Sequence, residues 1–214
     1  MKNSKDTTVS KITDHLRKEI MYCNLKSGEH LKEKQLAKIF GVSRVPVREA
    51  LRILHSEGYL EMVPNRGSFV KKISPEYIIE IAKMYIFIAP ELLRDAIPKY
   101  KDSTYKKAYR VLNKVEKCKD YNKIGYLLWD FAKIIYTPSK NKFMYFIMDE
   151  IYKHNIRILN EVFEIGQHRH YDLTHHKEFL QLCKDKRIDD AIKVWENYVN
   201  KIATVMLSIK KPSK

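Results

Sequence analysis

The chain has 214 residues, 44% of them hydrophobic, enough for packed cores in one large or two small domains. Its 41 Lys and Arg against 26 Asp and Glu give a net charge of +15, which suits a polyanionic partner. Cys23, Cys118 and Cys183 are too scattered for a zinc knuckle or a disulfide framework, and no apolar run approaches the roughly 18 residues of a membrane span.

A reduced, cytoplasmic protein with a polar N-terminus unlike a secretory signal is therefore expected, with no membrane partner. Charge alone does not locate the partner's site. Residues 1–72 hold fifteen Lys and Arg against eight Asp and Glu, and the remaining 142 residues carry as large an excess.

Val9, Ile12, Leu16 and Ile20 form an apolar stripe at helical spacing near the N-terminus. The run from Leu31 to Phe40 places Leu36, Ala37 and Phe40 on one face of a second helix, and Gly41 supplies a sharp turn. A third helix opens at Ser43, an N-cap residue, with Pro46 tolerated because first-turn N–H groups have no intrahelical partner. Arg44, Arg48 and Arg52 recur at i, i+4 and i+8 on one side of it, while Val47, Leu51 and Leu54 occupy the core side. A helix with one apolar face and one row of guanidinium groups suits the major groove, where Arg bonds phosphate or reaches bidentately to guanine. An ordinary amphipathic helix with a solvated basic face is the plain alternative for such a pattern. Next come Tyr59–Val63, a turn at Pro64-Asn65-Arg66-Gly67, and Ser68–Lys71, which read as a hairpin or wing with Arg66 near its tip. Helix, helix, turn, helix and wing within about 70 residues make a winged helix-turn-helix.

Ile73-Ser74-Pro75 reads as a linker, with Ser74 and Pro75 suited to cap and start the next helix. The expected domains are thus 1–73, DNA-binding, and 74–214, all-helical. From 75 onward the apolar period stays near 3.6, predicting helices over 75–97, 103–117, 120–137, 141–166, 172–185 and 188–208, with Pro90 kinking or splitting the first. The fold class is mainly α: the winged head, then an antiparallel bundle of six or seven helices whose interior is the natural place for a small ligand. Trp129, Phe131, Tyr136, Phe143, Tyr145, Phe146 and Trp195 are expected as core aromatics. His154 reads as a partly buried, hydrogen-bonded residue, and the run holding His168, His170 and His175 as solvated histidines at a helix junction.

Six segments follow one family's pattern in order: Ser27-Gly28-Glu29-His30-Leu31, Gln35-Leu36-Ala37, Gly41-Val42-Ser43-Arg44, Pro46–Leu51, Glu57–Leu60 and Arg66–Val70. Together they resemble the GntR family of bacterial transcription regulators. The resemblance implies a double-stranded DNA operator as partner, contacted by Lys34, Ser43, Arg44, Val45, Pro46, Arg48, Arg52, Arg66 and Gly67. Lys34 and Arg44 are implied at the backbone or major-groove bases, Arg48 at base edges, and Arg66 with Gly67 in the minor groove. The family often has Arg where Lys34 stands, and Lys holds phosphate without the bidentate geometry.

His175–Ile192 resembles the last helices of the ligand-sensing domain in the FadR-type branch of that family. Many members bind a divalent metal there through an Asp, a His four residues later, and two further His. This chain has Leu128 and Ala132 at the first two positions, keeps His176, and has Tyr198 at the fourth; Tyr85 stands near a position often held by Arg. No metal and no other cofactor is expected, because one imidazole beside Leu and Ala makes a poor ligand set. The implied pocket is Tyr85, Leu128, Ala132, His176 and Tyr198, for a relatively apolar effector anchored by His176 and Tyr198. No nucleophile–base constellation or Gly-rich phosphate loop appears, so catalysis is not expected. The function that follows is a homodimeric, sequence-specific transcription regulator whose DNA affinity is modulated by a small effector. The alternative is a regulator whose helical domain has lost its ligand and serves only dimerisation or a protein partner.

Overall fold

The computed structural model describes residues 7–166 and 171–210. They fall into two compact units, meeting in sequence at Ile73 and Ser74.

In the first unit α1 (Thr8–Met21) opens with the Thr7 side chain accepting from the Ser10 amide at 3.1 Å. It buries Ile12, Leu16 and Ile20 along the expected stripe. α2 (Glu33–Phe40) ends at Gly41, whose φ of 64° is left-handed and favours glycine. α3 (Arg44–Ser56) buries Val47, Ala50, Leu51 and Leu54 against α1. The two helices are tied at one end by Arg17, which donates to Glu57 at 2.9 and 2.8 Å. Ser43 holds the N-cap position with an extended backbone, but its side chain makes no capping hydrogen bond, contrary to the expected cap.

The wing is a three-stranded antiparallel sheet rather than a bare hairpin. β1 (His30–Leu31) pairs with β3 (Gly67–Val70), which also pairs with β2 (Leu60–Val63), in the order β1-β3-β2. Leu31, expected at the start of the second helix, is instead buried in β1. His30 stacks on Phe69 with ring centroids 4.5 Å apart.

The second unit is all-helical among its described residues: α4 (Pro75–Ala96), α5 (Asp102–Lys117), α6 (Tyr121–Tyr136), α7 (Lys142–Gly166), α8 (Thr174–Lys184) and α9 (Ile188–Lys210). A 3-10 turn, Ile97–Lys99, follows α4. Ser74 caps α4 by accepting from the Tyr77 amide at 3.2 Å, and Pro75 takes the first helical position. α4 packs against α9, α7 and α6 and is the centre of the bundle. Pro90 does not split it: α4 is one helix through Pro90, with Ile88, Ala89, Leu92 and Leu93 buried on both sides of the ring. Burial of that long face outweighs one missing backbone hydrogen bond.

The expected core aromatics divide. Phe131, Tyr136 and Trp195 are fully buried. Phe143 and Phe146 are 77% and 57% exposed, because the buried stripe of α7 runs through Met148, Tyr152, Ile156 and Leu159 and leaves the 143/146 face outside. Trp129 and Tyr145 are half-buried, and the Trp129 indole donates to Asp149 at 3.1 Å. His154 pairs with the Tyr77 hydroxyl at 2.7 Å. His168 and His170 lie outside the described residues.

Candidate nucleic-acid interface

The row Arg44, Arg48 and Arg52 stands exposed on α3, opposite the face that packs on α1. Arg48 is not free in solvent. Its Nε and Nη2 donate to the two carboxylate oxygens of Glu33 at 2.9 and 2.8 Å. That hydrogen bond holds the Glu33 carboxyl below the usual carboxylate range, and the charges of Arg44 and Arg52 act in the same direction. Glu33 therefore sits at the middle of the basic row, one residue before Lys34, which is exposed on α2. Counting cations along one helix did not single Glu33 out. The available signal was its place at the start of the preceding helix, which the short turn at Gly41 folds back against α3.

The exposed first turn of α3 adds Ser43 and Val45, the latter 70% exposed, with Pro46 half-buried beside them. An exposed valine at a helix start is a small apolar surface of the kind that meets a thymine methyl. At the wing, Asn65 and Gly67 both take positive φ, 59° and 97°. Gly67 has no room for a Cβ, which would lie 2.8 Å from His30 Nε2. The tight turn projects Arg66, whose guanidinium lies 5.8 Å from the Phe69 ring centroid. The fold thus brings Lys34, Ser43, Arg44, Val45, Pro46, Arg48 and Arg52 together on α2, α3 and the turn between them, with Arg66 and Gly67 on the separate wing.

The interior residues of the second unit also come together, and they are packed rather than hollow. Tyr85, Leu128, Ala132, His176 and Tyr198 are all buried. The Tyr85 and Tyr136 hydroxyls meet at 3.0 Å, and the Trp195 indole donates to Tyr136 at 2.8 Å and to Tyr85 at 3.3 Å. Tyr171 and Tyr198 share a hydroxyl contact. The cavity left beside Tyr85, Tyr152 and Tyr198 is about 20 Å³, room for a single water.

His176 is enclosed by Phe131, Trp195 and Tyr198, with ring centroids at 5.2, 5.2 and 4.6 Å. Both its ring nitrogens are buried without a hydrogen-bond partner among the described residues. Burial, helped by His175, lowers its pKa to about 3, so it is neutral at pH 7. The donor set does not fit a divalent metal, since Leu128 and Ala132 carry no donor atoms and Tyr198 is engaged with Tyr171. Among the described residues no group of three His, Cys, Asp or Glu gathers to hold one.

No helix of the described residues is long and apolar enough to cross a membrane. Residues 8–70 match the family of bacterial regulatory proteins described as the gntR family. Over 185 residues the chain is 30% identical to the HTH-type transcriptional regulator YdhC of Bacillus subtilis (strain 168), covering 83% of this chain and 81% of that protein. Over 59 residues, 28% of this chain and 26% of the other, it is 46% identical to the HTH-type transcriptional repressor RspR of Escherichia coli (strain K12). Escherichia coli McbR/YncC shares the fold across 96% of this chain and 100% of its own, at a TM-score of 0.79 and 18% identity. With its helix-turn-helix head and this near full-length likeness, the chain belongs to the gntR family of bacterial regulatory proteins: it is a DNA-binding transcriptional regulator, not an enzyme.

Proposed function

We propose that the protein reads operator DNA as a cytoplasmic homodimer, with α3 in the major groove and the wing in the adjacent minor groove. The observation that carries this is the exposed row Arg44, Arg48 and Arg52, backed by a fully packed apolar face. Arg48 reads base edges, Val45 meets thymine methyls, and Arg44, Arg52, Lys34 and Ser43 hold phosphates on either side. Pro46 fixes the first turn of α3, and Gly67 lets Arg66 approach the minor groove closely. Footprinting full-length protein on its own promoter region tests the assignment. Protection of two half-sites about one helical turn apart is the expected pattern.

The dimer is assigned to the helical unit through Phe87 of α4 with Phe143 and Phe146 of α7, all well exposed. α4 and α7 pack antiparallel, since Asp95 accepts from the Lys140 amide while Tyr77 pairs with His154. Phe87 and Phe146 therefore lie at similar heights on adjacent helices. Apolar side chains of that size are costly to leave in water, and a second copy of the same surface covers them.

The same unit serves assembly more directly than it serves ligand capture, because Tyr85, Tyr136, Trp195, Tyr171 and Tyr198 fill its interior themselves. One observation favours the second reading, in which a small apolar effector enters: the unpartnered imidazole of His176. Such an effector acts by preferring one spacing of the two heads, and shifts DNA affinity by no more than its differential affinity. Native mass spectrometry separates the two. A bare dimer supports the filled interior, and a stoichiometric small-molecule adduct removed by His176→Phe supports the effector.

A further inference from the structure

The helical unit carries a second recess, on its surface and apart from the packed interior. One wall is a face of α5 at i, i+3, i+4, i+7 and i+8: Asp102, Tyr105, Lys106, Tyr109 and Arg110. The opposite wall is the end of α8 and the turn after it, with Lys184 and Lys186. The groove is about 990 Å³, at the upper end of the range for small-molecule sites.

Its charge is one-sided. Four cations line it against the single carboxylate of Asp102. Elsewhere in this unit Lys99, Lys153 and Lys177 each hold an acidic partner. Among the described residues Lys106, Arg110, Lys184 and Lys186 hold none. Lys184 instead lies over two rings, its Nζ 5.5 Å from the centroid of Tyr105 and 4.8 Å from that of Tyr109. Such a contact is a weak stand-in for an anion at an exposed site. The rings have a firm backing: Tyr105 meets Tyr100 edge-on at 5.8 Å, and the Tyr100 hydroxyl donates to the Ile135 carbonyl at 2.7 Å. The Cys183 thiol at the base of the groove is pushed up to about 12 by burial, so it adds no negative charge at pH 7.

Aromatic faces beside unpaired cations take a flat ring bearing negative charge. Four cations facing one carboxylate suit several phosphate charges better than one carboxylate. We propose that this groove binds a nucleotide, its phosphates on Lys106, Arg110, Lys184 and Lys186 and its ring on Tyr105 and Tyr109.

The test is titration of a fluorescent ATP analogue into full-length protein, with unlabelled ATP as competitor. The expected result is saturable binding, weakened at least tenfold by Lys106→Glu with Lys184→Glu and by Arg110→Glu, and unchanged by Arg48→Ala. Tyr109→Ala should weaken ATP while leaving inorganic triphosphate competition nearly intact. The four cations are exposed, so these charge changes leave the fold in place, and far-UV circular dichroism verifies that. The proposal is overturned by an absence of saturable binding, by binding indifferent to the glutamate variants, or by binding lost in Arg48→Ala. A single-stranded oligonucleotide that binds through these lysines when ATP does not would assign the groove to nucleic acid and also overturn it.

Discussion

Glu33 of α2 grips Arg48 of α3 through both carboxylate oxygens, at 2.9 and 2.8 Å, on the surface assigned to base reading. The pair is exposed, so solvent and salt screen it and a nucleic-acid partner displaces it cheaply. Its fork geometry is the one Arg uses on guanine O6 and N7. On the proposed reading of this surface, Glu33 orients the guanidinium until DNA displaces it, and its negative charge penalises a phosphate contact by the same side chain.

Two variants separate these roles. Arg48→Ala should cut discrimination between operator and random DNA by roughly 5- to 150-fold. Glu33→Gln should lower discrimination as well, but by strengthening random binding, with a steeper salt dependence. Salt-titrated anisotropy on both DNAs reads the difference, and a Glu33→Gln protein that binds both as wild type does would remove Glu33 from the site.

Lys34 is exposed on α2, and the proposed reading gives its point charge a phosphate. Lys34→Ala should weaken operator and random DNA nearly equally and flatten the salt slope by about 1. A selective loss of operator binding would move Lys34 to a base contact.

Much of the head was legible because its signals are local. Gly41 marked the turn, the i, i+4, i+8 arginines marked the exposed face, and Val47, Leu51 and Leu54 marked the buried one. β1 was not legible: two residues pair with a strand nearly 40 positions later, and nothing near His30 encodes that partner. In the second unit the 3.6 period located each helix to within a few residues, yet it could not rank aromatics by burial. Phe143 and Phe146 look as apolar as Phe131, and only the direction of the buried stripe of α7 puts them outside. The same limit hid the Tyr85–Tyr136–Trp195 cluster, whose members lie up to 110 positions apart. Pro90 does not split α4 because that helix is held by packing on several sides, which a local rule cannot see.

The exposed phenylalanines set a prediction for assembly. Phe87→Asp should shift full-length protein from dimer toward monomer at micromolar concentration and weaken operator binding without altering head stability. Sedimentation velocity checks it. A Phe87→Asp protein that stays fully dimeric would place the interface on another surface of the helical unit.

His176 sets the pH response of stability. Its folded pKa, about 3, lies below the unfolded value near 6.5, so the unfolded chain binds the extra proton between them. The penalty for charging His176 is absent above about pH 6.5 and grows as pH falls toward 3, so stability falls with pH across that window. His176→Leu should flatten that slope and be neutral or stabilising at pH 7, because it removes a buried polar ring without partners. Urea unfolding of both proteins at pH 4.5, 5.5 and 7 checks it, and equal slopes would place the acid sensitivity elsewhere.

In the proposed mode of binding, α3 and the wing of a paired molecule read a specific duplex. Selection of full-length protein on random double-stranded DNA tests it most directly. The expected result is enrichment of an inverted repeat with half-sites about 10 base pairs apart, lost with Arg48→Ala but kept with Lys34→Ala at lower salt. No enrichment over random sequence, or the same repeat selected by the Arg48→Ala protein, would contradict it.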